Sequence, residues 1–124
     1  MTEPDSIRLS PGILTDAATV TLAHEPLPPE QIVAGTPMTG TRVLDDSDGV
    51  EIGVWEMTAG TATDTEIDEV FIVVSGRATV VFDAVLDADP PPAIELTAGA
   101  VVRLTAGMRT TWIVHETLRK IYIA

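Results

Sequence analysis

The chain has no cysteine, two histidines and a single lysine, Lys120, in 124 residues. Without cysteine there can be no disulfide, no thiolate metal site and no cysteine nucleophile. The two histidines, His24 and His115, have no partners at metal-ligand spacing and read as surface residues. Basic side chains are scarce. Seven Lys and Arg against 19 Asp and Glu give a formal charge of −12, a surface that repels phosphate backbones and anionic lipid. Nucleic acid and membrane are therefore excluded as expected partners. The opening residues MTEPDSIRLS lack an apolar signal core, and the longest apolar run, Val70 to Val74, is far shorter than the roughly 20 residues of a membrane helix. The expected location is the cytoplasm. A glycine-rich phosphate loop and a Gly-x-Ser-x-Gly elbow are missing as well, so nucleophilic catalysis has no candidate.

What is present is a chain 45% hydrophobic and long enough for one core, burying roughly 65–70% of its unfolded surface. Nine prolines fall in three groups, Pro4 to Pro11, Pro26 to Pro37 and Pro90 to Pro92, and each interrupts regular structure because proline lacks an amide donor. Between them run short segments rich in Val, Ile and Thr with no apolar helical period. Strands are expected at 50–57, 70–75, 77–85, 93–96, 100–104, 110–115 and 118–123, with weaker ones at 19–23, 31–34 and 41–44. Turn signals at Asp48-Gly49, Ser75-Gly76, Ala98-Gly99 and Ala106-Gly107 punctuate them. The pattern predicts an all-β sandwich or barrel. Phe71 and Val73 alternate with Val70, Ile72 and Val74, so both faces of that strand are apolar. The second face is expected beneath the N-terminal segment or a second copy of the chain, which makes a homodimer the expected assembly.

Two segments share a spacing that resembles the cupin superfamily. In Gly60 to Gly76, GTATDTEIDEVFIVVSG, Glu69 precedes Gly76 across a hydrophobic strand; Gly99 to Val114, GAVVRLTAGMRTTWIV, holds Gly99 and Gly107 before another strand. The likeness implies a jelly-roll barrel, the cupin double-stranded β-helix, at 41–124 behind an N-terminal arm at 1–40. Gly53-Val-Trp-Glu56, Ser75-Gly76-Arg77, Thr110-Thr-Trp112 and Arg119-Lys-Ile-Tyr122 are similar to the cupin domain of ureidoglycine aminohydrolase. A metal-binding cupin would place histidines where this chain has Thr63, Thr65 and Thr110, keeping only Glu69. Hydroxyls are poor transition-metal ligands compared with imidazole, so no metal and no cofactor is expected.

The resemblance also implies a pocket inside the barrel, facing Thr63, Thr65, Glu69, Phe71, Thr110 and Trp112, with Trp55, Arg77 and Tyr122 as wall or rim. Aromatic walls, hydroxyls and one carboxylate suit a small-molecule ligand. Glu69, buried among aromatics, is the candidate general acid or base of a hydrolase or isomerase-type reaction. Equally, it is a structural carboxylate tied to Arg77, Arg109 or the nearby threonines. The two tryptophans either fill the core or stack on a ligand. The run Asp64, Glu66, Asp68, Glu69 lacks calcium-loop spacing and reads mostly as a solvated turn. Three functions follow: a metal-free binder of a small polar molecule, a metal-dependent aminohydrolase acting on a ureido or amino compound, and a dimeric accessory domain.

Overall fold

The computed structural model describes residues 8–84 and 88–124. Among these the chain forms nine strands in one curled sheet: β1 (Glu25–Pro26), β2 (Ile32–Ala34), β3 (Met38–Asp45), β4 (Ile52–Met57), β5 (Gly60–Thr65), β6 (Glu69–Phe82), β7 (Ile94–Leu96), β8 (Val101–Leu104) and β9 (Arg109–Ile123). The all-β expectation holds.

Two long antiparallel strands, β6 and β9, carry the architecture. They pair along most of their length, from Val70 opposite Ile123 to Phe82 opposite Thr110. Each also serves two neighbourhoods. The second half of β9 pairs with β4, and through it with β3 and β1; the first half pairs with β5, and through it with β2. Likewise the first half of β6 pairs with β8 and the second with β7. The sheet therefore folds over its own middle. Phe71 and Val73 from one half of β6 share a core with Val80 and Phe82 from the other, together with Met57, Leu96, Leu104, Trp112, Val114 and Leu118.

Ser75-Gly76 is not a turn between two strands, as its composition suggests, but the bend within β6. The register with β9 shifts on both sides of Ser75 and again between Arg77 and Ala78. Gly76 takes a φ of 92°, and a Cβ there would collide with the Thr117 carbonyl and the Leu118 backbone across the ladder. A glycine lets two backbones approach this closely because it has no side chain and tolerates positive φ. The bend in β9 at His115–Thr117 likewise merges two expected strands into one. The expected end of the β6 strand at Val85 falls outside the described residues.

The strand expected at 19–23 is absent. Residues 8–24 instead run over the outward face of β3, β4 and β9, joined to the sheet by the Leu9 amide donating to the Leu44 carbonyl at 2.9 Å. Gly40 on β3 makes room, since a side chain there would meet Leu22, Ala23 and His24. Arg119, only 8% exposed, donates through Nη1 to the carbonyls of Ala17 at 3.0 Å and Val20 at 2.6 Å, and through Nε to Glu56 Oε1 at 3.0 Å. His24 Nε2 contacts the other Glu56 oxygen at 2.5 Å. Burial by itself would raise the Glu56 carboxyl, but the hydrogen bonds from Arg119 and His24 outweigh it and hold the group below its ordinary range. A depressed carboxylate pKa stabilises the fold above the unfolded value, and that contribution is lost as pH falls through the folded value. The arm thus covers the outward side of the sheet at β3, β4 and Arg119 of β9. Farther along that face Val101 and Ile123 remain 66% and 37% exposed.

Gly76→Ala is expected to destabilise the protein by about 3 kcal/mol or more, because the new Cβ would meet the Thr117–Leu118 backbone of β9 and the positive φ disfavours a side chain. Chemical denaturation monitored by tryptophan fluorescence measures it; a loss under about 1 kcal/mol would show that the β6 bend does not need glycine.

Candidate functional site

The period-two alternation of β9 builds one wall of a cavity. Thr110, Trp112 and Val114 point inward before the bend, and Leu118, Lys120 and Tyr122 after it; all six are buried. Facing them are Trp55 and Met57 of β4 and Phe71 of β6, which join the same cluster. Between these walls lies a cavity of about 390 Å³. Leu27 and Gln31 border it from the N-terminal segment, Thr39 and Thr41 from β3, Ala62 to Thr65 from β5, and Glu66, Ile67 and Glu69 from the connection into β6.

Lys120 sits at its floor, 5% exposed. The ammonium donates to Glu69 Oε2 at 2.7 Å and lies 4.3 Å from the ring centroid of Phe71, 4.7 Å from Trp55 and 4.9 Å from Trp112. The rings support one another, with centroids 5.7 Å apart for both Trp55–Trp112 and Phe71–Trp112. A buried ammonium is costly unless paired, and here a carboxylate and three π faces replace its water. Glu69 is thus tied to a lysine, not to Arg77 or Arg109 as the sequence suggests. Arg77 is exposed and ion-paired with Glu116 at 3.5 Å, away from the cavity.

A second carboxylate, Glu66, corrects the expectation of a solvated acidic turn. It is 8% exposed, and its Oε2 accepts from Thr110 Oγ1 at 2.6 Å and from Trp112 Nε1 at 3.0 Å. The backbone fixes it there, since the Glu66 amide donates to the Met108 carbonyl at 2.8 Å and its carbonyl accepts from the Gly107 amide at 2.9 Å. On the opposite flank Tyr122 donates its hydroxyl to Glu51 Oε2 at 2.6 Å. Its ring lies over Gly53, its register partner, where a Cβ would strike the ring. Burial and the Glu51 hydrogen bond push the phenol well above its ordinary pKa, so it stays a neutral donor.

Register decides what β5 presents. Ala62 pairs with Trp112 and Asp64 with Thr110, so Ala62 and Asp64, not Thr63 and Thr65, share the cavity face of β9. Thr63 and Thr65 border the mouth from exposed positions, with Thr63 Oγ1 donating toward the Gln31 carbonyl at 3.4 Å. Desolvation and the neighbouring Glu66 charge raise the Asp64 carboxyl above its ordinary range. The cavity face thus offers alanine, aspartate and threonine where a metal cupin presents imidazoles, and its glutamate is engaged by Lys120. This donor set does not fit a cupin metal. His115 points outward and contacts Thr79 Oγ1 at 3.0 Å.

Of the residues expected from sequence, Glu69, Trp112, Trp55 and Tyr122 line the cavity and Thr63 and Thr65 reach its mouth, whereas Phe71 and Thr110 are buried behind the wall, under Lys120 and Glu66, and Arg77 stands apart. Lys120, Glu66, Glu51 and Asp64 were not anticipated. The signal for Lys120 was its alternation with Leu118 and Tyr122.

A bent jelly-roll barrel holding a polar and aromatic cavity between its two halves is the architecture of a cupin. The profile described as the EutQ-like cupin domain matches residues 44–122, and the chain belongs to that family. Among solved structures it resembles the EutQ protein of Clostridium difficile, at 20% identity and a TM-score of 0.57 over 70% of this chain and 61% of that one. A protein of unknown function from Pseudomonas syringae pv. tomato matches at 19% identity and a TM-score of 0.69, over 85% of this chain and 44% of that one. A putative ethanolamine utilization protein Q from Salmonella typhimurium matches at 16% identity and a TM-score of 0.58, over 84% and 96%. The chain therefore spans less than two thirds of the first two relatives. No curated protein matches it.

Because ionised Asp64 is disfavoured by the fold, it weakens stability at neutral pH, and the penalty disappears as pH falls below the unfolded carboxyl value. Asp64→Asn is expected to raise the melting temperature at pH 7, with the gain shrinking on acidification and gone below about pH 4. A variant that melts lower than the parent at pH 7 would contradict this electrostatic picture.

Proposed function

We propose that the chain binds a small polar molecule inside its barrel without a metal. The observation that carries the reading is the cavity of about 390 Å³, within the usual size of small-molecule sites, whose wall combines aromatic rings with buried charged and hydrogen-bonding groups. A barrel serving only as a structural module would be expected to fill that volume with apolar side chains, because cores pack densely. In this reading Glu69 is a positioning residue. Its carboxylate holds Lys120, and Trp55, Trp112 and Tyr122 form the contact surface. The likeness of several short segments to the ureidoglycine aminohydrolase cupin domain supports a nitrogen-bearing ligand. The metal-dependent form of that chemistry is not carried over, since the donors on the cavity face do not suit it. A homodimer joined through the exposed stretch near Val101 and Ile123 belongs to the same proposal.

Because Trp55 and Trp112 line the cavity, their emission reports on its contents. A panel of ureides, amines, amino acids and sugars is expected to contain compounds that shift tryptophan fluorescence and raise the melting temperature. Thr41→Phe, which fills the cavity from β3, is expected to abolish both responses while the protein stays folded. Responses that survive in Thr41→Phe, or a panel with no response, would contradict the reading.

A further inference from the structure

The charges around the cavity are unbalanced, and their placement specifies a ligand. Glu51, Asp64, Glu66 and Glu69 contribute four carboxylates to the lining and Lys120 a single ammonium. Lys120 is neutralised by Glu69 at 2.7 Å, which leaves three carboxylates without a cation in the cavity. The groups that do satisfy them are neutral: the Tyr122 hydroxyl for Glu51, and the Thr110 hydroxyl and Trp112 indole for Glu66. Glu66 is the sharpest case. It is more than nine-tenths buried and both donors converge on Oε2, so among the described residues Oε1 has no hydrogen-bond partner. That oxygen is not sealed in the protein interior, where, among the described residues, the one unpartnered buried side-chain atom is Nη1 of Arg42. It has an open acceptor position and belongs to a residue lining the cavity.

We infer that the cavity takes a small organic cation carrying N–H donors, an ammonium, amidinium or guanidinium on a compact apolar body. This rests on the reading of the barrel as a ligand site and names the class of ligand. The N–H group would donate to Glu66 Oε1, a charge-assisted bond stronger than a neutral one. The apolar body would pack on Trp55 and Trp112, beside Leu27 and Met57. The cavity of about 390 Å³ has room for a small organic molecule. Aromatic faces attract cations, and Lys120 already displays that chemistry at the floor. An anion would meet three uncompensated carboxylates and be repelled.

A charge-matched series separates this inference from the reading beneath it. Butylammonium, butylguanidinium, 1-butanol, butanamide and butyrate share one apolar body and differ in head group. Titrated against the whole chain and followed by tryptophan fluorescence, the two cations are expected to bind at least tenfold more tightly than the neutral members, and butyrate not at all. Added salt is expected to weaken only the cations. Glu66→Gln, which keeps an acceptor for Thr110 and Trp112, is expected to cost the cations about tenfold and the neutral members less than about threefold. Glu51→Gln is expected to act in the same direction if Glu66→Gln fails to fold. Neutral members binding as tightly as cations, or butyrate binding, would overturn the cation assignment and leave the ligand site standing. Silence from every member would overturn both.

Discussion

One buried ammonium organises the interior of this barrel. Lys120, the only lysine in the chain, is placed by β9 at the cavity floor, 5% exposed. Removing an ammonium from water costs several kcal/mol, and an isolated one would not survive there charged. It is held by Glu69 from the start of β6 and by the rings of Trp55, Phe71 and Trp112, each ring contributing on the order of 1 kcal/mol. These partners come from β4, β6 and the first half of β9, while Lys120 itself sits on the second half. The pair thus pins the bent sheet at the floor of the cavity and fixes the aromatic wall on which any ligand would rest.

The neighbouring residue uses the opposite face of the same strand. Arg119 points outward, one step out of phase with Lys120, and binds the arm through the Ala17 and Val20 carbonyls while Glu56 balances its charge. A two-residue period therefore distributes one basic pair between the cavity and the arm. Slipping β9 by one residue would exchange these roles and expose the apolar wall, so the register is strongly specified.

Most of the strand order was legible because Val, Ile and Thr segments bounded by Gly, Pro and Asp dominate the chain. The failures have physical causes. β6 and β9 each read as two strands, because a bend that needs Gly76 has the same composition as a turn. β5, Gly-Thr-Ala-Thr-Asp-Thr, has almost no apolar signal, and pairing with β9 and β2 makes it a strand. Around the site, Glu69, Trp55, Phe71, Trp112 and Tyr122 were recognisable from motif spacing and size. Lys120 and Glu66 were not, since single-residue reasoning sends charged side chains to solvent and only a three-dimensional partner reverses that. Thr63 and Thr65, taken from the cupin likeness, border the cavity mouth, while register sets Ala62 and Asp64 opposite Trp112 and Thr110.

Membership of the EutQ-like cupin family fixes the scaffold, and the scaffold leaves the chemistry to the residues inside it. The central claim is that Lys120 and Glu69 act as one unit. A double-mutant cycle with Lys120→Met and Glu69→Leu, read by equilibrium denaturation, tests it most directly. Each single change strands a buried charge and is expected to cost about 3 kcal/mol or more, while the double variant loses at least about 2 kcal/mol less than the sum. Additive losses would contradict the account.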